Sequence, residues 1–144
     1  MKKLQYLIFK TADDYRSVLA RLIVGLVFLS EGIQKFPFPE LVGAGRFEKI
    51  GFENPEFLAS FVACFEIVCG SLLLIGLSVR IDAIPLLIII ITAIVTTKIT
   101  ILHDKGFWSA AHEARTDFVM TLLLIHLMIL AVEDGRLMQK SINL

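Results

Sequence analysis

Cysteine is scarce and badly placed for cross-linking. Cys64 and Cys69 are the chain's two. Five residues apart on one helix, their Cα atoms stand roughly 8 Å from each other, beyond disulfide reach, and they do not make a CxxC redox pair. There is no CxxCH haem string, no P-loop and no GxGxxG fingerprint. A redox cofactor would therefore be a diffusible quinone or belong to another subunit. Charge of one sign is lacking too: 14 Lys plus Arg stand against 14 Asp plus Glu. That balance offers neither the basic excess that attracts nucleic acid nor an acidic tail, so nucleic acid is excluded as a partner. His103, His112 and Glu113 bracket one loop, but their spacing matches no metal-ligand motif and no metal is assigned.

What the chain has instead is apolar length. Hydrophobic residues make up 56% of its 144 positions, an excess for a soluble domain of this size. Four stretches, 17–35, 57–78, 81–102 and 114–133, approach or reach the roughly 20 residues that cross a hydrocarbon core. In the third, LLIIIITAIV at 86–95 is apolar on all sides, where a soluble bundle would show a polar stripe. Pro85 lies early in that span, a kink that membrane helices tolerate. The two N-terminal lysines precede too short an apolar run for a signal peptide, because Lys10, Asp13 and Asp14 interrupt it; the segment reads as interfacial and retained. Residues 1–144 are expected to form one all-α domain, a four-transmembrane-helix bundle in contact with membrane lipids.

Positive residues orient it. Lys2, Lys3, Lys10, Arg16, Arg21, Arg80, Arg136 and Lys140 fall on one side, and Lys35, Arg46, Lys49, Lys105 and Arg115 on the other. Eight against five places both termini in the cytoplasm. Connections 36–56, with its amphiphilic GRFEKIGF, and 103–113, with aromatics suited to an interface, then lie outside. Multi-pass insertion in the cell's inner (cytoplasmic) membrane follows.

Depth singles out the candidate site. Glu31 lies one turn below Lys35, in the favourable acid-first i, i+4 order, and Glu66 lies roughly 13 Å inward from Phe57 at 1.5 Å per residue. Lys98 stands near the outer end of the third span, and Glu113, Arg115 and Asp117 enter with the fourth. An ionisable group in a span faces the bundle interior, meets a partner or snorkels, so these charges predict a polar pocket in the outer half. Glu66 shares a stripe with Ala59, Ala63 and Gly70, small residues that let helices approach. Glu31 with Lys35 reads equally as a boundary ion pair, and Lys98 as a snorkelling anchor. His126, alone in the middle of the last span, reads as hydrogen-bonded across helices.

Three strings carry a family resemblance: RLIVGLVFLSEGIQKF, FEIVCGSLLLIGLSVRIDAIPLLI and TTKITILHDKGFWSAAHEARTDFVMTLLLIHL. Over residues 21–135 they resemble the DoxX family of small four-helix membrane proteins. The resemblance falls on Arg21, Gly25, Glu66, Gly70, Gly76 and Arg80, then on Lys98, Gly106, Phe107, Trp108, His112, Glu113, Arg115, Thr116 and Asp117. The close, EDGRLMQKSINL, departs from the Gly-x-Gly and Ser-Leu-Asp-like ending of many relatives. The family is similar to the membrane subunit of thiosulfate:quinone oxidoreductase, and some members are associated with thiol or oxidative-stress redox systems. That implies a quinone-linked or redox-associated role, with Glu66, Asp117 and His112 carrying protons. Lys98, Arg115, Glu113, Glu31, Lys35 and Trp108 would hold a quinone headgroup or small anionic substrate. A redox partner protein or a homo-oligomer is implied as partner. A noncatalytic membrane subunit, or a small-solute or proton-coupled carrier, uses the same residues, and the sequence leaves enzyme and non-enzyme both open.

The orientation is checked by cysteine labelling in sealed vesicles. Cysteines replacing Lys49 and Lys140 should react from opposite faces, and labelling of both from one face would reject it.

Overall fold

The computed structural model describes the backbone of residues 15–142 and the side chains of residues 15–133. The N-terminal segment read as interfacial, the side chains of Arg136 and Lys140 and the end of the closing string lie outside the described residues. Helices α1 (Tyr15–Gln34), α2 (Ala44–Ile50), α3 (Pro55–Ile75) and α4 (Val79–Ala93) come first. A π-helical turn (Ile94–Lys98) joins α4 to α5 (Ile99–Lys105), and α6 (Phe107–Glu113) and α7 (Arg115–Ile142) complete the order. No strand occurs among the described residues. Four helical stretches are long and apolar enough to cross a membrane: α1, α3, the run Val79–Lys105 and Arg115–Glu133 of α7. The expected all-α bundle of four spans is thus the observed one.

Local chemistry fixes the ends. Pro55 opens α3, where its missing N–H costs no helical bond. Gly76 closes α3 with φ 83°, its N–H donating to the Leu72 and Leu73 carbonyls at 2.9 and 3.1 Å. A side chain at position 76 would run into the Arg21 guanidinium as well as strain the backbone. The amphiphilic stretch in the first connection forms α2, stopped by Gly51 at φ 96° and closed by Phe47 against Phe52, ring centroids 5.7 Å apart. The third span continues through Pro85 and loosens only at the π turn.

The long helices form a ring: α1 packs on α3, α3 on α4, α4 on α7, and α7 back on α1. Helices α1 and α3 approach most closely. A Cβ on Gly25 would lie 2.9 Å from the Gly70 carbonyl oxygen, and one on Gly70 would lie 3.0 Å from the Gly25 oxygen and the Leu29 nitrogen. Backbone meets backbone there, as small residues permit in membranes. Higher up, Gly32 lies against Ala63, Glu66 and Ile67. The end of α1 is therefore level with the middle of α3, and α2 packs on α3 beside it. The core joins Val24 and Phe28 to Leu73, Ala83, Leu86, Leu124 and Leu127. No residue from Ile94 through Lys105 is buried, so the apolar core gives out on this helix towards the end carrying the two longer connections.

Gly70→Val and Gly25→Val should each lower stability by about 1–3 kcal/mol through overpacking. Ser60→Val, on the exposed side of α3, should leave it nearly unchanged. Unfolding in mixed detergent micelles measures all three.

Candidate functional site

Glu66 is buried on α3 in one stripe with Ala59, Ala63 and Gly70, as its spacing predicts. Those small residues bring α1 close, and Gly32 leaves space directly against the Glu66 Cβ. Lys35, one residue beyond α1, sends its ammonium across to α3. It donates to Glu66 Oε2 at 2.5 Å and to the Glu31 carbonyl oxygen at 3.3 Å. The two side chains are only 9% and 5% exposed. The expected Glu31–Lys35 side-chain pair is thus replaced by a tertiary one. Glu31 keeps its carboxylate exposed, while the buried Glu66 takes Lys35 as its ion-pair partner. Glu31 and Arg46 of α2 both lie within electrostatic range of Glu66.

A second charged group joins the third and fourth spans. Lys98, the last residue of the π turn, keeps its side chain 11% exposed and turns to α7 rather than snorkelling. Its ammonium stands 3.4 Å from Asp117 and 3.9 Å from Glu113, contacts long enough to leave its protons little used. Asp117 is half-buried, and Glu113 exposed. Nearby, Arg115 Nε donates to the His112 carbonyl at 3.0 Å and Nη2 lies 2.9 Å from His112 Nε2. Guanidinium has only protons to give, so that ring nitrogen is the acceptor. Trp108 is 83% exposed beside Phe107, with an edge-on centroid distance of 5.5 Å, the placement of an interfacial aromatic anchor.

The candidate residues therefore come together as two groups. Lys35 and Glu66 join α1 to α3, with Glu31 at their rim. Lys98, Asp117 and Glu113 join the π turn to α7 and α6, with Arg115 and His112 beside them. Counting rise from the α3–α4 turn, Lys98 lies roughly 15 Å farther along the bundle than Glu66. Sequence reasoning missed Arg46, whose place follows from α2 folding back on α3. It missed also the buried hydroxyl of Thr97 in the π turn and the buried Asp82 in the first turn of α4, whose Oδ2, like that hydroxyl, has no partner among the described residues. A carboxylate so close to a helix start reads in sequence as an ordinary first-turn acid.

Comparison with known proteins agrees with this architecture. A family profile described as DoxX matches residues 17–99. It covers Glu31, Lys35, Glu66 and Lys98 and ends before Trp108, His112, Glu113, Arg115 and Asp117. The chain is 51% identical over 117 residues to "Uncharacterized membrane protein Rv3486" of Mycobacterium tuberculosis, covering 77% of this chain and 72% of that protein. It is 32% identical over 112 residues to "Putative oxidoreductase CatD" of Bacillus subtilis, covering 77% and 75%. No solved structure matches.

Removing one partner of the deep pair strands a buried charge. Glu66→Gln or Lys35→Met alone should cost about 3–5 kcal/mol, and the double variant less than the sum. Glu31→Gln, exposed, should cost at most about 1 kcal/mol. A double-mutant cycle by unfolding in detergent measures the coupling.

Proposed function

The chain belongs to the DoxX family of membrane proteins, and from that premise we propose that it is a quinone-linked, redox-associated subunit of the inner (cytoplasmic) membrane, with both termini in the cytoplasm. The observation that carries this reading is the Lys98–Asp117 ion pair, 3.4 Å long with the lysine side chain 11% exposed, towards the end of the third of four apolar spans. An ionisable pair kept at such a place marks function in membrane proteins. The relative named an oxidoreductase adds support by its name alone.

The residues fit a quinone headgroup or a small anion. Lys98, with long contacts to its two carboxylates, has protons to donate to an incoming oxygen, and Arg115 adds positive charge at the same end. Reduction of a quinone takes up protons with its electrons, which suits carboxylates set beside basic groups. Glu66 and Asp117 are the proton-holding groups, each against a lysine, and His112 presents a ring nitrogen near the outer group. The electrons come from a redox partner protein; this chain supplies binding, charge and proton handling.

A second reading, a noncatalytic membrane subunit or small-solute or proton-coupled carrier, is favoured by one feature. Lys35 and Glu66 neutralise each other fully and tie α1 to α3, as a purely structural clamp would.

Ligand binding separates the two. A quinone analogue at 100 times its dissociation constant should stabilise the purified protein by about 2.7 kcal/mol. Lys98→Gln and Glu66→Gln should each reduce the rise in Tm more than Lys49→Gln on α2. No shift with any quinone, in a sample carrying a stoichiometric protein partner, would favour the noncatalytic subunit.

A further inference from the structure

The surface that faces lipid carries polar side chains, and nearly all of them have an evident solution. Ser30 and Gln34 bond each other at 2.8 Å. Thr92 and Thr100 donate to the carbonyls four residues back at 2.8 and 3.1 Å. Ser60 and Thr116 lie within two turns of a helix start, near water. His126 has none of these. It is exposed and makes no hydrogen bond among the described residues. By rise along α7 it stands roughly 16 Å from Arg115 and 10 Å from Glu133, out of reach of either surface.

The face around it is patterned. Arg115, Val119, Leu122, His126, Ile129 and Glu133 recur at alternating steps of four and three, and all six are exposed. Val119, Leu122 and Ile129 are 51%, 51% and 55% exposed. The opposite face of α7 already fills the core through Met120, Leu124 and Leu127. The helix thus has a second apolar seam with the 3.5-residue period of a helix pair, interrupted by one polar residue of the kind that sets register. Charges stand only at its two ends, and Arg115 is turned aside onto His112.

We infer that two copies of this chain pair in the membrane through α7, with His126 meeting its own counterpart across a two-fold axis along the bundle. The occupant is a second copy because imidazole is self-complementary: one ring donates an N–H and the other accepts it. A two-fold axis supplies both halves from the same residue at the same depth. Any other protein would have to bring its own polar group to this level.

Full-length chains carrying donor or acceptor fluorophores, reconstituted over a range of protein-to-lipid ratios, give the dimer dissociation constant by energy transfer. His126→Leu should raise it about 3- to 15-fold, the range spanned by interhelical hydrogen bonds in membranes, and His126→Asn, also self-complementary, should restore it. In a background with Cys64 and Cys69 replaced by serine, single cysteines replacing Leu122, His126 and Ile129 should cross-link on oxidation. Those replacing buried Leu124 or lipid-facing Ile88 should not. A monomer at every ratio, a dimer cross-linked through Ile88, an unchanged constant in His126→Leu, or cross-linking only to a different polypeptide would each overturn the proposal.

Discussion

The bundle is organised by the approach of α1 to α3 and by the ion pair that this approach makes possible. A carboxylate in an apolar span is tolerated only with a partner in reach. Gly25, Gly32 and Gly70 remove the side chains that would hold the two backbones apart, and Lys35 then reaches Glu66. The same contact sets the end of α1 level with the middle of α3. The remaining turns of α3 are thereby left for α2 to cover, and Arg46 comes near the pair as a consequence.

The other half of the ring behaves differently. Helices α4 and α7 pack through large aliphatic residues, Leu86 and Ile90 against Leu124 and Leu127, and this contact fails where the π turn begins. A π turn inserts one residue into the helical period, often at functional sites. Past it no residue of the third span is buried, and Lys98 holds on to α7 by charge rather than by packing. One polar group is thus short and deep, and the other is longer and nearer the surface. That difference is what a binding group and a proton-holding group would need.

The lipid-facing surface adds a constraint of its own. In water an exposed histidine needs no explanation, whereas in hydrocarbon each polar atom needs a partner. The threonines find theirs in their own helix and Ser30 and Gln34 find each other. His126 remains, in a seam with coiled-coil spacing, on the face of α7 turned away from Asp117, which turns to Lys98.

Much of this was legible in the residues. Apolar length determined four spans, because an unbroken apolar run of roughly 20 residues in a bilayer satisfies its backbone groups within its own helix, and three- and four-residue spacing determined that Glu66 lies on a close-packing face with Ala63 and Gly70. The helix ends were less legible: the apolar run places the second span at 57–78, whereas the helix starts at Pro55 and is closed by Gly76. What only the tertiary structure decided was which charge meets which. In sequence Lys35 is nearest Glu31, four residues away; in the fold it chooses Glu66, thirty-one residues away, because burial makes that carboxylate the one in need of a counter-charge. Lys98 was equally poised to snorkel or turn inward until α7 placed Asp117 beside it. Spacing gives the face on which a side chain stands, but the partner depends on how closely two backbones pass, and that distance is a property of the packed bundle.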